Sequence, residues 1–312
     1  MTRRDSGTAF GQIAEALSLV THGQPGHIVD TLIAERGTRI AHHPLWPVMR
    51  PFLYTVLNYR RAKACADAVA NVPGFQAFEF LSQTLQLDIA VKHGERLPAQ
   101  GGFLMVSNHP TGIADGVAVF DFLKTTRPDM MFFANRDAVR VNPRFVEMII
   151  PVEWRDEYKS KLKTRETLQI TNSAIAEGKA AVLFPSGRIA YWADGRLNER
   201  PWKTSAVTLA RKYGLPILPV HMKARNSGLF YWLAKWSTEL RDMTVFHELL
   251  NKKGGRFEFT VGHLIDPAAL EGDPAEVTRA LEAHTVHELA VDSDARFQSV
   301  ALADTDYRNA AE

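Results

Sequence analysis

Cysteine is almost absent from this chain of 312 residues: Cys65 stands alone, which excludes an intramolecular disulfide and a cluster of cysteine metal ligands. Histidine offers no substitute. His42-His43 and the pair His284/His287 lack carboxylate or cysteine partners at ligand spacing, so no metal site is expected. Long hydrophobic runs are missing as well. No window of about 18 uninterrupted apolar residues occurs, which argues against a membrane-spanning helix. The opening stretch MTRRDSGTAFGQIAEALSLV carries basic residues but neither a long apolar core nor a small-residue cleavage site. It reads as mature protein rather than a signal peptide, and a cytoplasmic location is the expectation. Charge of one sign is not in excess either. The 37 basic and 35 acidic residues leave a formal charge of +2, too even for nucleic-acid binding by the whole protein.

What is present is a globular composition, 46% hydrophobic and 23% charged, in a chain long enough to bury a large core. Residues 8–86 read as mostly helical. Ile13, Leu17, Leu19 and Val20 recur at helical spacing, and so do Phe75, Phe78, Leu81 and Leu85. Between them lies PLWPVMRPFLYTVLNYRR, where Pro44, Pro47 and Pro51 predict an interrupted beginning without a regular helix. From Leu87 short apolar runs alternate with amphipathic stretches. Strands are predicted at 88–92, 103–106, 130–134, 148–152, 180–184, 217–222 and 257–262, and helices at 113–124, 158–176, 203–213 and 274–290. That alternation specifies an α/β fold, a mostly parallel central sheet with helices on both faces. The expected organisation is a helical extension over 1–86, one α/β domain over 87–290 and a frayed tail over 291–312. Ligands of such sheets gather beyond the carboxyl ends of the strands.

The strand at 103–106 runs into Ser107-Asn108-His109-Pro110-Thr111-Gly112-Ile113-Ala114-Asp115-Gly116. His109 therefore falls on a strand-to-helix turn and Asp115 in or near the first turn of the helix, with Thr111 as the expected N-cap. Pro110 and Gly112 fix a tight path that can fold the carboxylate back onto the imidazole. A neutral imidazole can take a proton from an attacking hydroxyl or amine near neutral pH. A carboxylate on its other nitrogen fixes the tautomer and stabilises the imidazolium that forms. A thioester donor is already activated, so no serine nucleophile is needed. Taken alone, the spacing equally suits a loop histidine beside an aspartate that supports a helix N-terminus.

Four ordered blocks raise the information content. Asn108-His109-Pro110-Thr111-Gly112-Ile113-Ala114-Asp115-Gly116 is followed by Met131-Phe132-Phe133-Ala134-Asn135-Arg136, Leu183-Phe184-Pro185-Ser186-Gly187-Arg188 and Leu215-Pro216-Ile217-Leu218-Pro219-Val220. In order and character they resemble the four blocks of the glycerolipid acyltransferase superfamily, which contains glycerol-phosphate and lysophosphatidate acyltransferases. The nearest likeness is to its hemolysin-like and ornithine-lipid-synthesis branch, and it spans roughly residues 88–265. The resemblance implies transfer of a fatty acyl group from acyl carrier protein or coenzyme A to a lyso-lipid-type acceptor. It implies His109 as general base oriented by Asp115, with no cofactor beyond the acyl donor. Two departures stand out. Many members carry His-x4-Asp, whereas His109 and Asp115 are separated by one more residue, which looks like the hemolysin-like branch. The best-known third block has Glu where this chain has Ser186, which counts against a glycerol-phosphate or lysophosphatidate acceptor.

The substrate-binding residues implied by the blocks are Asn108, Thr111, Gly112, Phe184, Pro185, Ser186, Gly187 and Arg188. Gly187 allows close backbone approach, and Arg188 offers a fork for phosphate or carboxylate. Arg136 and Arg140 are candidates for an anionic head group or the donor's phosphates, against the simpler pairing of Arg136 with Asp137. Lys223-Ala224-Arg225-Asn226-Ser227 is either a solvated strand end or a contact for an acidic carrier protein. Trp46, Phe52, Leu53, Tyr54, Val56, Leu57 and Tyr59 with Arg50, Arg60, Arg61 and Lys63 suit an element lying on the inner face of an anionic membrane. A helix packed on the core, with its cations in water, is the alternative. Two rival functions remain open: a thioesterase using the same dyad on water, and a non-catalytic lipid- or acyl-carrier-binding module.

Overall fold

The computed structural model describes residues 26–153 and 158–298. The helical spacing from Ile13 to Val20 and the tail beyond 298 lie outside the described residues.

The apolar runs form strands β1 (Asp88–Lys92), β2 (Phe103–Ser107), β3 (Met131–Asn135), β4 (Ile149–Val152), β5 (Ala180–Leu183), β8 (Ile217–Lys223) and β9 (Arg256–Val261). A hairpin, β6 (Tyr191–Ala193) with β7 (Arg196–Asn198), lies between them in the chain. The seven-stranded sheet has the order β1-β9-β8-β2-β5-β3-β4. The pairs β1/β9, β2/β5, β2/β8 and β3/β5 are parallel, and β8/β9 is antiparallel. Every residue of β2 is buried, which requires cover on both faces of the sheet. On one face Leu104, Val106, Ala181 and Leu183 pack against Ala206, Val207 and Ala210 of the helix Ser205–Tyr213 and Val277 and Leu281 of the helix Pro274–Ala283.

The stretch rich in proline departs from expectation. A regular helix runs over Trp46–Val56 with Pro47 in its first turn, where the missing N–H has no intrahelical acceptor to lose. Only Pro51 removes a helical hydrogen bond, and it does so one turn from the start. The helix presents Leu45, Val48, Met49, Phe52 and Val56 to solvent, with Val48 and Phe52 each 75% exposed. Trp46, Leu53, Tyr54 and Tyr59 instead pack against a core of Val29, Ile33, Leu57, Ala62 and Met243. Beyond 213, the chain adds the short helices Gly228–Trp236, Thr238–Met243 and Val245–Leu250, for which no helix was predicted.

The described residues fall into two compact units that do not follow chain order. Within the described residues, one draws on 26–85, 134–153, 158–167 and 227–253, the other on 86–133, 168–226 and 254–298. In the first, Tyr54 and Tyr59 stack at 4.2 Å and both donate to the Asp30 carboxylate at 2.8 Å. In the second, the start of the expected frayed tail is tied down: Arg96 donates to the Ser293 carbonyl at 2.8 Å and pairs with Asp294. Among the described residues no helix is long and apolar enough to cross a membrane.

Candidate active site

The second unit brings His109 and Asp115 together. β2 ends at Ser107, the chain turns through Asn108–Gly112, and the helix Ile113–Leu123 begins with Asp115 at its third position. Asn108 secures the turn to β8, donating from Nδ2 to the Met222 carbonyl and accepting from the Met222 N–H, both at 2.7 Å. Gly112 rather than Thr111 is the N-cap. Its φ of +95° is a conformation L side chains rarely adopt, and a Cβ there would meet Ile189 Cδ1 at 2.7 Å. Gly112→Ala is therefore expected to cost about 1–3 kcal/mol of stability, read from urea unfolding. An unchanged midpoint would show that the turn can relax.

Asp115 is completely buried. Its Oδ2 accepts from the N–H groups of Thr111 and Gly112, each at 2.9 Å, and its Oδ1 accepts from the Thr111 hydroxyl. His109 Nδ1 lies 2.9 Å from the same Oδ2. The distance suits an ion pair, while the angle falls short of a well-aligned hydrogen bond, as is common in catalytic pairs without substrate. The His109 ring stacks on Phe184, with centroids 4.5 Å apart and planes inclined by 24°, and its side chain is 18% exposed. The ring therefore remains partly reachable from solvent.

The third block wraps this turn. The Ala190 N–H donates to the His109 carbonyl at 2.9 Å, and the Pro185 carbonyl accepts from the Lys203 N–H at 3.1 Å. The buried Ser186 hydroxyl donates to the Arg188 carbonyl at 3.0 Å, Gly187 takes a φ of +61°, and Arg188 is exposed. Asn226, from the segment after β8, is buried and donates to the Thr111 carbonyl at 3.2 Å. Lys223 pairs with Glu258 at 3.4 Å.

One residue that sequence reasoning passed over joins them. Glu199 Oε2 accepts from the His109 N–H at 3.0 Å. Burial pushes the Glu199 carboxyl up from its ordinary range, against the lowering effect of the Ser186 hydroxyl and the His109 N–H. The signal available was Asp194-Gly195, the residue pair of a tight hairpin turn, which reverses the chain just before position 199. The same contacts occupy the backbone donors at the start of the turn. The N–H groups of His109, Thr111 and Gly112 are taken up by carboxylates, and Pro110 has none.

Arg136 and Arg140 lie in the first unit. Arg136 is buried and pairs through Nη1 with Glu166 at 2.7 Å, not with Asp137. Its Nε and Nη2 are buried without a partner among the described residues. Arg140 places its fork on Glu35, at 2.6 and 2.8 Å, and also reaches Asp137 at 3.2 Å.

Comparison with known proteins gives a family, two relatives and a solved structure to which the chain is similar. The family model described as "Acyltransferase" matches residues 88–223. A lyso-glycine lipid O-acyltransferase of Phocaeicola vulgatus is 26% identical over 199 residues, 62% of this chain and 69% of its own length. A lyso-glycine lipid O-acyltransferase of Bacteroides thetaiotaomicron is 24% identical over 52% of this chain and 57% of its own length. The crystal structure of the 1-acyl-sn-glycerophosphate acyltransferase PlsC of Thermotoga maritima overlays 89% of this chain and 97% of that one. It does so at 18% identity with a TM-score of 0.45, too loose a likeness to carry an argument. The four blocks, the α/β sheet that orders them and the family match converge on residues 88–223, which are similar to the acyltransferase family and support a place in the glycerolipid acyltransferase superfamily.

Proposed function

We propose that this acyltransferase moves a fatty acyl group from acyl carrier protein or coenzyme A onto a hydroxyl of a lyso-lipid-type acceptor, with His109 as general base oriented by Asp115. The observation that carries the reading is the 2.9 Å approach of His109 Nδ1 to a carboxylate that is fully buried and held by two backbone N–H groups. Nδ1 faces Asp115, so Nε2 is the nitrogen that accepts the acceptor's proton. The alkoxide adds to the thioester carbonyl, the tetrahedral intermediate collapses, and the departing thiolate takes the proton back from the imidazolium. Relatives named lyso-glycine lipid O-acyltransferases favour a hydroxyl over an amine, and an amino-acid lipid over a glycerophosphate. Ser186 in place of the block's Glu points the same way.

Arg136 keeps two buried donors for an anionic group, and Arg188 stands exposed at the third block. Lys223 and Arg225, both exposed, suit an acidic carrier protein. The exposed stripe Leu45, Val48, Met49, Phe52 and Val56, beside exposed Arg50, Arg60, Arg61 and Lys63, suits an anionic membrane surface that would hold the acceptor. Mass spectrometry of lipids after incubation of the protein with acyl-CoA or acyl carrier protein and a mixture of lyso-amino-acid lipids and lysophospholipids tests the reading. A newly acylated lipid is expected. Release of free fatty acid alone would make the protein a thioesterase, and no turnover of either donor would make it a binding module.

A further inference from the structure

We propose that Glu199 is a positioning residue of the acyl-transfer reaction, whose carboxyl group holds the His109 peptide so that the imidazole stays on Asp115. The inference rests on His109 being the base, and it concerns a residue outside all four blocks. Only two torsions separate the His109 ring from its backbone, so the placement of the peptide sets the placement of the ring. Both polar backbone atoms of His109 are held from outside the turn: its N–H by Glu199 Oε2 at 3.0 Å and its carbonyl by the Ala190 N–H at 2.9 Å. Both partners come from the chain that follows β5, one before the β6/β7 hairpin and one after it. Asp115 cannot follow a displaced ring, because Thr111 and Gly112 already fix its carboxylate.

Glu199 is a costly choice for a structural contact. The residue is partly exposed, but its Oε1 is sealed from solvent without a hydrogen-bond partner, and no lysine or arginine among the described residues pairs with it. A buried carboxyl group in that state opposes folding, so a tie of equal strength from a neutral side chain would suit the fold better. Its neighbours explain its presence. Ser186, which stands where the best-known third block carries Glu, lies against the Glu199 carboxyl.

Three variants of the full chain separate the possibilities. Glu199→Gln keeps an oxygen for the His109 N–H. Glu199→Met keeps the length but cannot accept. Glu199→Asp keeps the chemistry but shortens the reach by one methylene. Each is followed by unfolding midpoint, by kcat and KM with palmitoyl-CoA and the lyso-lipid mixture, and by the imidazole N–H proton resonance of histidine-labelled protein, assigned by its loss in His109→Ala. Glu199→Met and Glu199→Asp are expected to lower kcat about 10- to 100-fold with KM within about twofold, and to shift or broaden the His109 resonance. Glu199→Gln is expected to recover kcat to within about threefold and to restore the resonance. A folded Glu199→Met with unaltered kcat and resonance overturns the proposal and leaves the base assignment intact. If Glu199→Met does not fold, unaltered behaviour of Glu199→Asp overturns it in the same way. Loss of stability alone, with kcat per folded molecule and the resonance preserved, also overturns it. Full turnover by His109→Ala would instead remove the base assignment on which the proposal stands.

Discussion

His109→Ala is expected to lower acyl transfer about 10³- to 10⁴-fold while leaving the protein folded, because a general base contributes only as the acceptor's proton moves. Transition-state action of this kind lowers kcat and kcat/KM together, with the acceptor KM nearly unchanged. The fold has little reason to fail. Removing the ring gives up its stacking on Phe184, worth about 1 kcal/mol. Asp115 keeps its three remaining donors, the N–H groups of Thr111 and Gly112 and the Thr111 hydroxyl, so no buried carboxylate is abandoned. The His109 N–H and carbonyl also persist in alanine, and with them the ties to Glu199 and Ala190. Steady-state rates on the substrate pair found by mass spectrometry, beside an unfolding curve, decide the matter. A folded variant retaining a tenth of the wild-type kcat would require another base.

How far the sequence reaches depends on how local each contact is. The His109–Asp115 pair is legible because one strand end, one turn and one helix start contain it, and Pro110 and Gly112 leave that turn few paths. The parallel sheet is legible because its apolar runs are short and evenly alternate with helices, so strands come out within a residue or two of their expected bounds. The third block's relation to His109 is not written in local pattern. Phe184 stacks on the ring and Ala190 holds the carbonyl only because β2 and β5 are adjacent in the sheet. Glu199 is further removed. Asp194-Gly195 announces a hairpin, but no periodicity says that the returning chain will place a carboxyl group under a residue 90 positions earlier. Arg136 illustrates the reverse: its neighbour Asp137 is the obvious partner, yet Arg36 and Arg140 hold Asp137, and Arg136 turns to Glu166. The proline-rich segment misleads for a different reason. Proline breaks helices in their interiors, and Pro47 falls where a helix begins.

Asp115→Asn is expected to lower kcat about 10²-fold, a smaller loss than the roughly 10⁴ that the equivalent change costs in serine hydrolase triads, where the amide turns the histidine into the wrong tautomer. The surroundings of Asp115 prevent that inversion. Whichever group occupies the Oδ2 position faces two N–H donors, from Thr111 and Gly112, as well as His109 Nδ1. An NH2 there would oppose both donors, so the amide oxygen takes that position and the NH2 turns to the Thr111 hydroxyl, which can accept. Nδ1 therefore keeps an acceptor and the tautomer survives. What is lost is the charge that stabilises the imidazolium as it forms, together with the strength of hydrogen bonds to an ionised group, about 1–2 kcal/mol of stability. Asp115→Ala behaves differently. It leaves two N–H groups and a hydroxyl buried without their acceptor, at about 1–3 kcal/mol each, so it reports on folding before it reports on catalysis. The ratio of kcat to stability loss in Asp115→Asn thus separates the two readings of the sequence. A variant less stable but fully active would make Asp115 a helix-capping residue and leave His109 to act alone. A variant nearly as stable but a hundredfold slower makes the carboxylate part of the chemistry.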